Sequence, residues 1–345
     1  MALLASGDDV KGVETVAGHR HFLKNWTLPV AIAVGTALYL LFAYVPALDA
    51  PAQVLGPLCE TLLPIVLFLT LFVTFSKVDF HLMRLRRWHL LVLSAQLLLI
   101  ALFVGIILWQ DRHVDASLSA FELQDIQLRR YLLEAILVCI LAPCASASPV
   151  VTAKLGGDIT QMTTFVLLSS VVTSVLIPII FPILEPSNET AFFTTFLAIL
   201  QRLALVLLLP LVLGAVVRHW VKPLYRWFVR TPDLGFYLWC VALAITTGIT
   251  VRNILNSHAG SHLFFDIALF ALVTAIVQFV LGRLIGKATG RVVCSGQGMF
   301  QKNTGLAIWI TYTYLTPVAS IGAGCYVLWQ NLINSFELWQ HRRRE

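Results

Sequence analysis

Charge is what this chain has least of. Asp, Glu, Lys and Arg make up 12% of the 345 residues, hydrophobic types make up 58%, and the mean hydropathy is +0.83. A water-soluble fold carries about twice that charged fraction, so an ordinary soluble domain is excluded. The apolar stretches also lack alternation: Leu90–Trp109 and Leu203–Val217 are apolar on every face. Outer-membrane strands alternate apolar and polar residues, so a β-barrel is excluded as well. The six cysteines lack the paired spacing of a disulfide or zinc framework and read as small buried hydrophobes. There is no His/Glu metal motif, no pair of aspartates in facing spans and no nucleophile motif, so nothing supports an enzyme or a metal site. The first residues, Met1–Asn25, carry Asp8, Asp9 and Glu14 and have no apolar run of signal-peptide length. They are expected to form a cytoplasmic tail.

What the chain does have is membrane spans. A helix needs about 20 apolar residues to cross the hydrocarbon layer. By that measure the sequence predicts about ten spans, near 27–48, 57–76, 88–109, 131–153, 160–184, 191–217, 234–255, 263–285, 292–315 and 317–338. Glycine and proline punctuate the expected junctions, among them Gly56–Pro57 and Gly156–Gly157. Most of the 24 Lys and Arg residues then fall on one side, including Arg84, Arg86, Arg87, Lys222, Arg226 and Arg230. Only Arg112, Arg129, Arg130 and Arg252 fall opposite, and such a bias places the richer side in the cytoplasm. Basic loops between spans are topology signals and give no reason to expect nucleic acid. An even span count with both termini inside implies two halves of opposite orientation, the arrangement of an inverted repeat. The expected organisation is a cytoplasmic tail 1–26, a first repeat 27–184, a second repeat 191–338 and a basic cytoplasmic tail 339–345. The setting is an all-α multi-pass protein of the plasma (inner) membrane.

Two of the spans are interrupted. The fourth reads Ala142-Pro143-Cys144-Ala145-Ser146-Ala147-Ser148-Pro149, and two prolines six apart cannot sit in an unbroken helix. The ninth carries Ser295-Gly296-Gln297-Gly298 and then Gln301-Lys302-Asn303-Thr304-Gly305, where mid-span residues should be apolar. Pro143, Pro149, Gly298 and Gly305 are the expected break positions. Irregular backbone at membrane depth is tolerated only against protein or a watery cavity. Broken helices in matching positions of two repeats mark the central site of a transporter, where half-helix N-termini offer positive dipole ends to an anion. Lys302 is the sharpest feature, because a mid-span lysine costs about 2.5–3.5 kcal/mol on insertion scales and should face a partner or cavity. Its expected companions are Gln301, Asn303, Thr304, Gln96, Ser146 and Ser148. Arg202 is expected to reach the surface or to pair with Glu185 or Glu189. Glu60, Glu134 and Asp266 are expected to be solvated near outer span ends.

At these interruptions the chain resembles the bile acid:sodium symporter family. The likeness runs from Leu63-Pro64 through Asp79-Phe80, Ala142-Pro143 with Ser148, Gly157-Asp158 and Asn303-Thr304-Gly305-Leu306-Ala307 to Gln330-Asn331-Leu332 with Ser335. It implies a ten-helix fold with a core domain and a panel domain, spans four and nine crossing in the core, and sodium-driven elevator transport of an organic anion. The implied sodium ligands do not carry over. The family's Ser-Asn pair falls on Ser148-Pro149, and its hydroxyl ligands fall on Met162 and Val166, with Thr163 and Thr164 adjacent. Its acidic ligand falls on Gly298 and a glutamine becomes Lys302, while Gln96 keeps its place.

An ammonium about 4 Å from a sodium ion would oppose it by about 4 kcal/mol at an effective dielectric near 20. A sodium-independent symporter of an organic anion is therefore expected, with no cofactor, proton coupling as the alternative to sodium, and Lys302 as a fixed or proton-dependent charge. Two other functions fit the same residues. One is a non-transporting membrane sensor or scaffold that kept the fold, and the other is an arsenite-like oxyanion exporter that uses Cys144.

Overall fold

The computed structural model describes residues 30–114, 119–185, 191–231, 233–256 and 261–343. Among them it is helical, with no strand longer than an isolated bridge. The helices are α1 (Val30–Tyr44), α2 (Asp49–Ser76), α3 (Arg87–Arg112), α4 (Ala120–Leu141), α5 (Ser148–Lys154), α6 (Ile159–Leu184) and α7 (Ala191–Leu203). A short π-helical stretch, Ala204–Leu208, joins α7 to α8 (Leu209–Trp220). There follow α9 (Lys222–Arg230), α10 (Leu234–Asn256), α11 (Ser261–Thr289), α12 (Val292–Phe300), α13 (Thr304–Tyr314) and α14 (Pro317–Arg342). Six stretches are long and apolar enough to cross a membrane: α2, α3, α6, the continuous run through α7 and α8, α10 and α11. The protein is thus an all-α polytopic membrane protein.

Several boundaries differ from those expected. Helix α2 begins eight residues early and runs through Pro57 and Pro64. Each proline leaves the carbonyl one turn back, that of Gln53 or Glu60, without its usual amide donor, and the helix continues through both. Gly56–Pro57 is therefore not a junction. Helix α14 continues to Arg342, so most of the expected tail 339–345 is helical. The tail 1–26 and Pro186–Thr190 of the junction between repeats lie outside the described residues. The π stretch was not anticipated, and its cause is local. Pro210 has no N–H for the Val206 carbonyl, and the helix widens so that the Leu209 amide donates to Ala204 instead.

Ion pairs and hydrogen bonds tie the helix ends together. At one end Arg218 pairs with Asp79 (2.6 Å) and Lys77 Nζ donates to the Thr231 carbonyl (3.2 Å). At the other end Arg130 gathers Asp111 (3.1 Å), Glu134 (2.9 Å) and Glu185 (2.9 Å), and its guanidinium also donates to the Leu184 carbonyl. This corrects the reading of Glu134: its side chain is buried and paired rather than solvated. Arg252 holds Glu60 (2.6 Å).

The interior is built around α2, α3, α4, α6 and α13, with Leu63, Trp88, Leu137 and Phe165 fully enclosed. Helix α12 lies against α11 at the closest approach helices allow. A Cβ on Gly282 would sit 2.6 Å from the Ser295 carbonyl oxygen, and one on Gly286 would sit 2.5 Å from Val292 Cα. Because backbone cannot move aside as a side chain can, Gly282→Val is expected to destabilise by about 1–3 kcal/mol. A lowered melting temperature in detergent would show it, and an unchanged one would contradict this packing.

Candidate functional site

Two helices stop in the middle of the molecule, and the ends they leave define the site. Helix α4 ends at Leu141 because Pro143 has no amide to continue it, and residues 142–147 are non-helical. Helix α12 ends at Phe300, and 301–303 separate it from α13. The two gaps lie against each other as an antiparallel bridge between Cys144 and Lys302. Ala145 N donates to the Gln301 carbonyl (2.9 Å) and Asn303 N to the Pro143 carbonyl (2.8 Å). The backbone groups that each break exposes thus satisfy each other, as buried main chain must.

A helix C-terminus also leaves its last carbonyls without intrahelical partners, and those of α4 are capped from four directions. Gln278 Nε2 of α11 donates to Cys139 O (3.4 Å), Gln96 Nε2 of α3 to Ile140 O (2.8 Å) and Ala142 O (3.3 Å), and Thr173 of α6 to Leu141 O (3.4 Å). Lys302 Nζ joins Gln96 on the Ile140 carbonyl (3.1 Å). The Cys144 amide, which would have served that carbonyl in a continuous helix, donates instead to Ser169 Oγ (2.8 Å). Lys302 is 1% exposed and forms no ion pair among the described residues. Its backbone is held by Gln330, whose Oε1 accepts from Lys302 N (2.9 Å) and whose Nε2 donates to Lys302 O (3.3 Å). The ammonium therefore stands at the negative end of the α4 dipole, where a cation is favoured.

The expected site residues divide on this geometry. Lys302, Gln96, Gln301, Ser148 and Pro143 belong to the crossing, with Ser148 Oγ accepting from the Cys144 thiol (3.3 Å). Ser146 is half-buried within the first gap. Asn303 caps α13, its Oδ1 accepting from Leu306 N (3.2 Å), and Thr304 opens that helix. The α13 N-terminus is thus already served by its own chain. Thr163 and Thr164 donate to Ile159 and Thr160 one turn back in α6, about 9 Å along the helix from Ser169. Three expected break positions are corrected: Pro149 opens α5, Gly298 lies inside α12, and Gly305 lies in the first turn of α13. Gly298 serves packing. A Cβ there would meet Phe165 Cδ1 at 3.0 Å and Trp88 Cζ3 at 3.2 Å, so aromatic rings occupy the space a carboxylate would need. Ser169, Thr173 and Gln278 are site residues the sequence did not flag.

Beside the crossing lies a cleft of about 770 Å³ between α2, the α7–α8 run, α10 and α13. Its walls include Leu63, Phe68, Val206, Ile249, Ile308 and Trp309. Arg202 is the cation on this lining, and its guanidinium lies over the Tyr314 ring at 5.6 Å. That corrects the expected pairing with Glu185, which Arg130 holds instead; Glu189 lies outside the described residues. The π stretch borders the cleft through Leu205 and Val206. Among the described residues no cluster of His, Cys, Asp and Glu could hold a metal ion. All six cysteines are free.

The model of the sodium bile acid symporter family matches residues 61–257, more than half of the chain. That stretch contains the first break and ends before the second. No curated protein matches the chain.

Proposed function

Because this chain belongs to the sodium bile acid symporter family, we propose that it is a secondary-active transporter of an amphipathic organic anion, working without sodium. In this reading ten spans form two inverted repeats, 27–184 and 191–338, in the plasma (inner) membrane with both termini in the cytoplasm. The crossing belongs to a core that slides, elevator-like, against a panel built from α1, α2, α7–α8 and α10.

The cleft carries the reading. Its volume lies within the range of about 300–1,000 Å³ usual for small-molecule sites, and it combines apolar and aromatic walls with one cation, Arg202, and one carboxylate, Glu60, which Arg252 holds in an ion pair (2.6 Å). It touches the crossing side through α13 and the panel side through α2, α8 and α10, so motion between the two would change its access. An anion with an apolar body fits such a lining: the charge meets Arg202 and the body meets Phe68 and Trp309. Sodium independence rests on Lys302, which already places a cation on the Ile140 carbonyl, and on Gly298, whose surroundings leave no room for a carboxylate. The oxyanion-exporter reading is not favoured, since the Cys144 thiol is 1% exposed and donates to Ser148.

Counterflow in proteoliposomes tests transport directly: a preloaded amphipathic carboxylate or sulfonate should accelerate entry of its labelled form, equally with and without sodium. A sensor or scaffold would bind the anion and show no exchange. Arg202→Gln is expected to raise the half-saturation concentration about tenfold, the worth of one hydrogen bond to a charged group. An unchanged value would remove Arg202 from the anion site.

A further inference from the structure

Between Lys302 and the cytoplasmic end of the bundle, the seam of α12 and α14 is lined with polar side chains. From α12 and its C-cap come Gln297 and Gln301, four residues apart and so on one face. On α14 they are Gln330, Asn334 and Glu337, likewise on one face. The two faces meet: Gln297 Nε2 donates to Asn334 Oδ1 (3.0 Å) and to Glu337 Oε2 (2.8 Å). Arg283 of α11 closes the inner end in an ion pair with Glu337. All five seam residues are buried. Gln297 Oε1, Gln301 Oε1 and Asn334 Nδ2 nevertheless have no hydrogen-bond partner among the described residues.

A row of buried polar atoms with spare capacity, running from Gln330 and Gln301 beside Lys302 to a buried carboxylate, is costly if it only packs, because a buried polar group without a partner forfeits the hydrogen bonds it makes in water. Around Lys302 the titratable groups are Cys139 of α4, Cys144 of the first gap and Tyr326 of α14. Among the described residues no carboxylate acts on it. At the inner end the facing charges are Glu337 and Arg283. The seam is thus the polar path from Lys302 toward a charged group.

We infer that the α12–α14 seam is a water-accessible proton route from the cytoplasmic side to the Lys302 amine, with Glu337 as its entry group. A proton arriving at Glu337 moves along water molecules hydrogen-bonded to Asn334, Gln297 and Gln301, each water accepting one proton and releasing another, until the Lys302 nitrogen takes it up and amine becomes ammonium; it leaves by the reverse path. This rests on Lys302 being the resident charge of the site, and it supplies a coupling ion for the sodium-independent transport proposed above.

The test needs no substrate. Full-length protein in detergent is trace-labelled with acetic anhydride, which reacts only with neutral amines, and acetylation of Lys302 is quantified by peptide mass spectrometry against exposed Lys287. Lys302 should be acetylated, its rate rising about tenfold per pH unit until the amine is fully neutral. Asn334→Leu, which closes the seam with an apolar side chain of similar size, should lower that rate about tenfold and leave Lys287 unchanged. If Asn334→Leu fails to fold, Gln297→Leu serves the same purpose. A wild-type Lys302 that resists acetylation while Lys287 reacts, or a folded seam variant that reacts as wild type does, overturns the proposal. Failure of counterflow would instead sink the transporter reading and leave this route standing.

Discussion

A Lys302→Gln protein is expected to be stabilised by sodium where the wild type is indifferent to it. In the wild type the ammonium donates to the Ile140 carbonyl (3.1 Å), and Gln96 holds the same oxygen with its own Oε1 left unpartnered. Exchanging the ammonium for an amide removes a repulsion of about 4 kcal/mol at close range, roughly a thousandfold in sodium affinity. It also leaves the Ile140 carbonyl without the charge it now meets. At sodium concentrations about 100 times the dissociation constant, binding to the folded state contributes about 2.7 kcal/mol. Thermal melts in sodium against potassium chloride, run on both proteins, read this directly. A wild type that sodium stabilises as strongly as the variant would show that Lys302 does not stand in for a cation.

The second large effect is expected at one end of the bundle. Arg130→Met should cost about 3–5 kcal/mol, because the substitution leaves Glu134, whose side chain is wholly buried, as an uncompensated charge beside Asp111 and Glu185. Arg130 ties the ends of α3 and α6 to the middle of α4. Through Glu134, which accepts from Thr316 Oγ1 (3.4 Å), it reaches the cap of α14 as well. Adding Glu134→Gln to Arg130→Met should recover much of the loss, since the buried charge is then gone. If the single variant melts with the wild type, the cluster contributes nothing to stability.

Both breaks were legible in the sequence because proline and clustered polar residues contradict a continuous apolar helix, and Lys302 was legible because a mid-span charge is expensive. Their pairing was not. Which backbone amide meets which carbonyl depends on how α4 and α12 approach, and no residue type encodes that. Ser169 and Thr173 escaped notice because a hydroxyl in a helix usually bonds to its own backbone, as Thr163, Thr164, Ser170 and Ser174 do, and nothing in the sequence sets these two apart from those neighbours. Gly298 was misread for the opposite reason. A glycine in a polar run suggests flexibility, yet here it makes room for Trp88 and Phe165 within a regular helix. The cleft was invisible because its walls are ordinary apolar residues brought together from four distant segments, and only Arg202 hinted at it. Glu134 looked like a solvated residue near a span end until the fold folded Arg130 over it.

The join between the two broken helices is made by main-chain atoms: the amides of Ala145 and Asn303 and the carbonyls of Gln301 and Pro143. Side chains along both gaps are accordingly free to vary without undoing it, and only an imino acid at Ala145 or Asn303 would cut one of its two strands. The mechanical joint and the selectivity filter of such a protein are separable inventions. One can be kept intact while the other is rewritten.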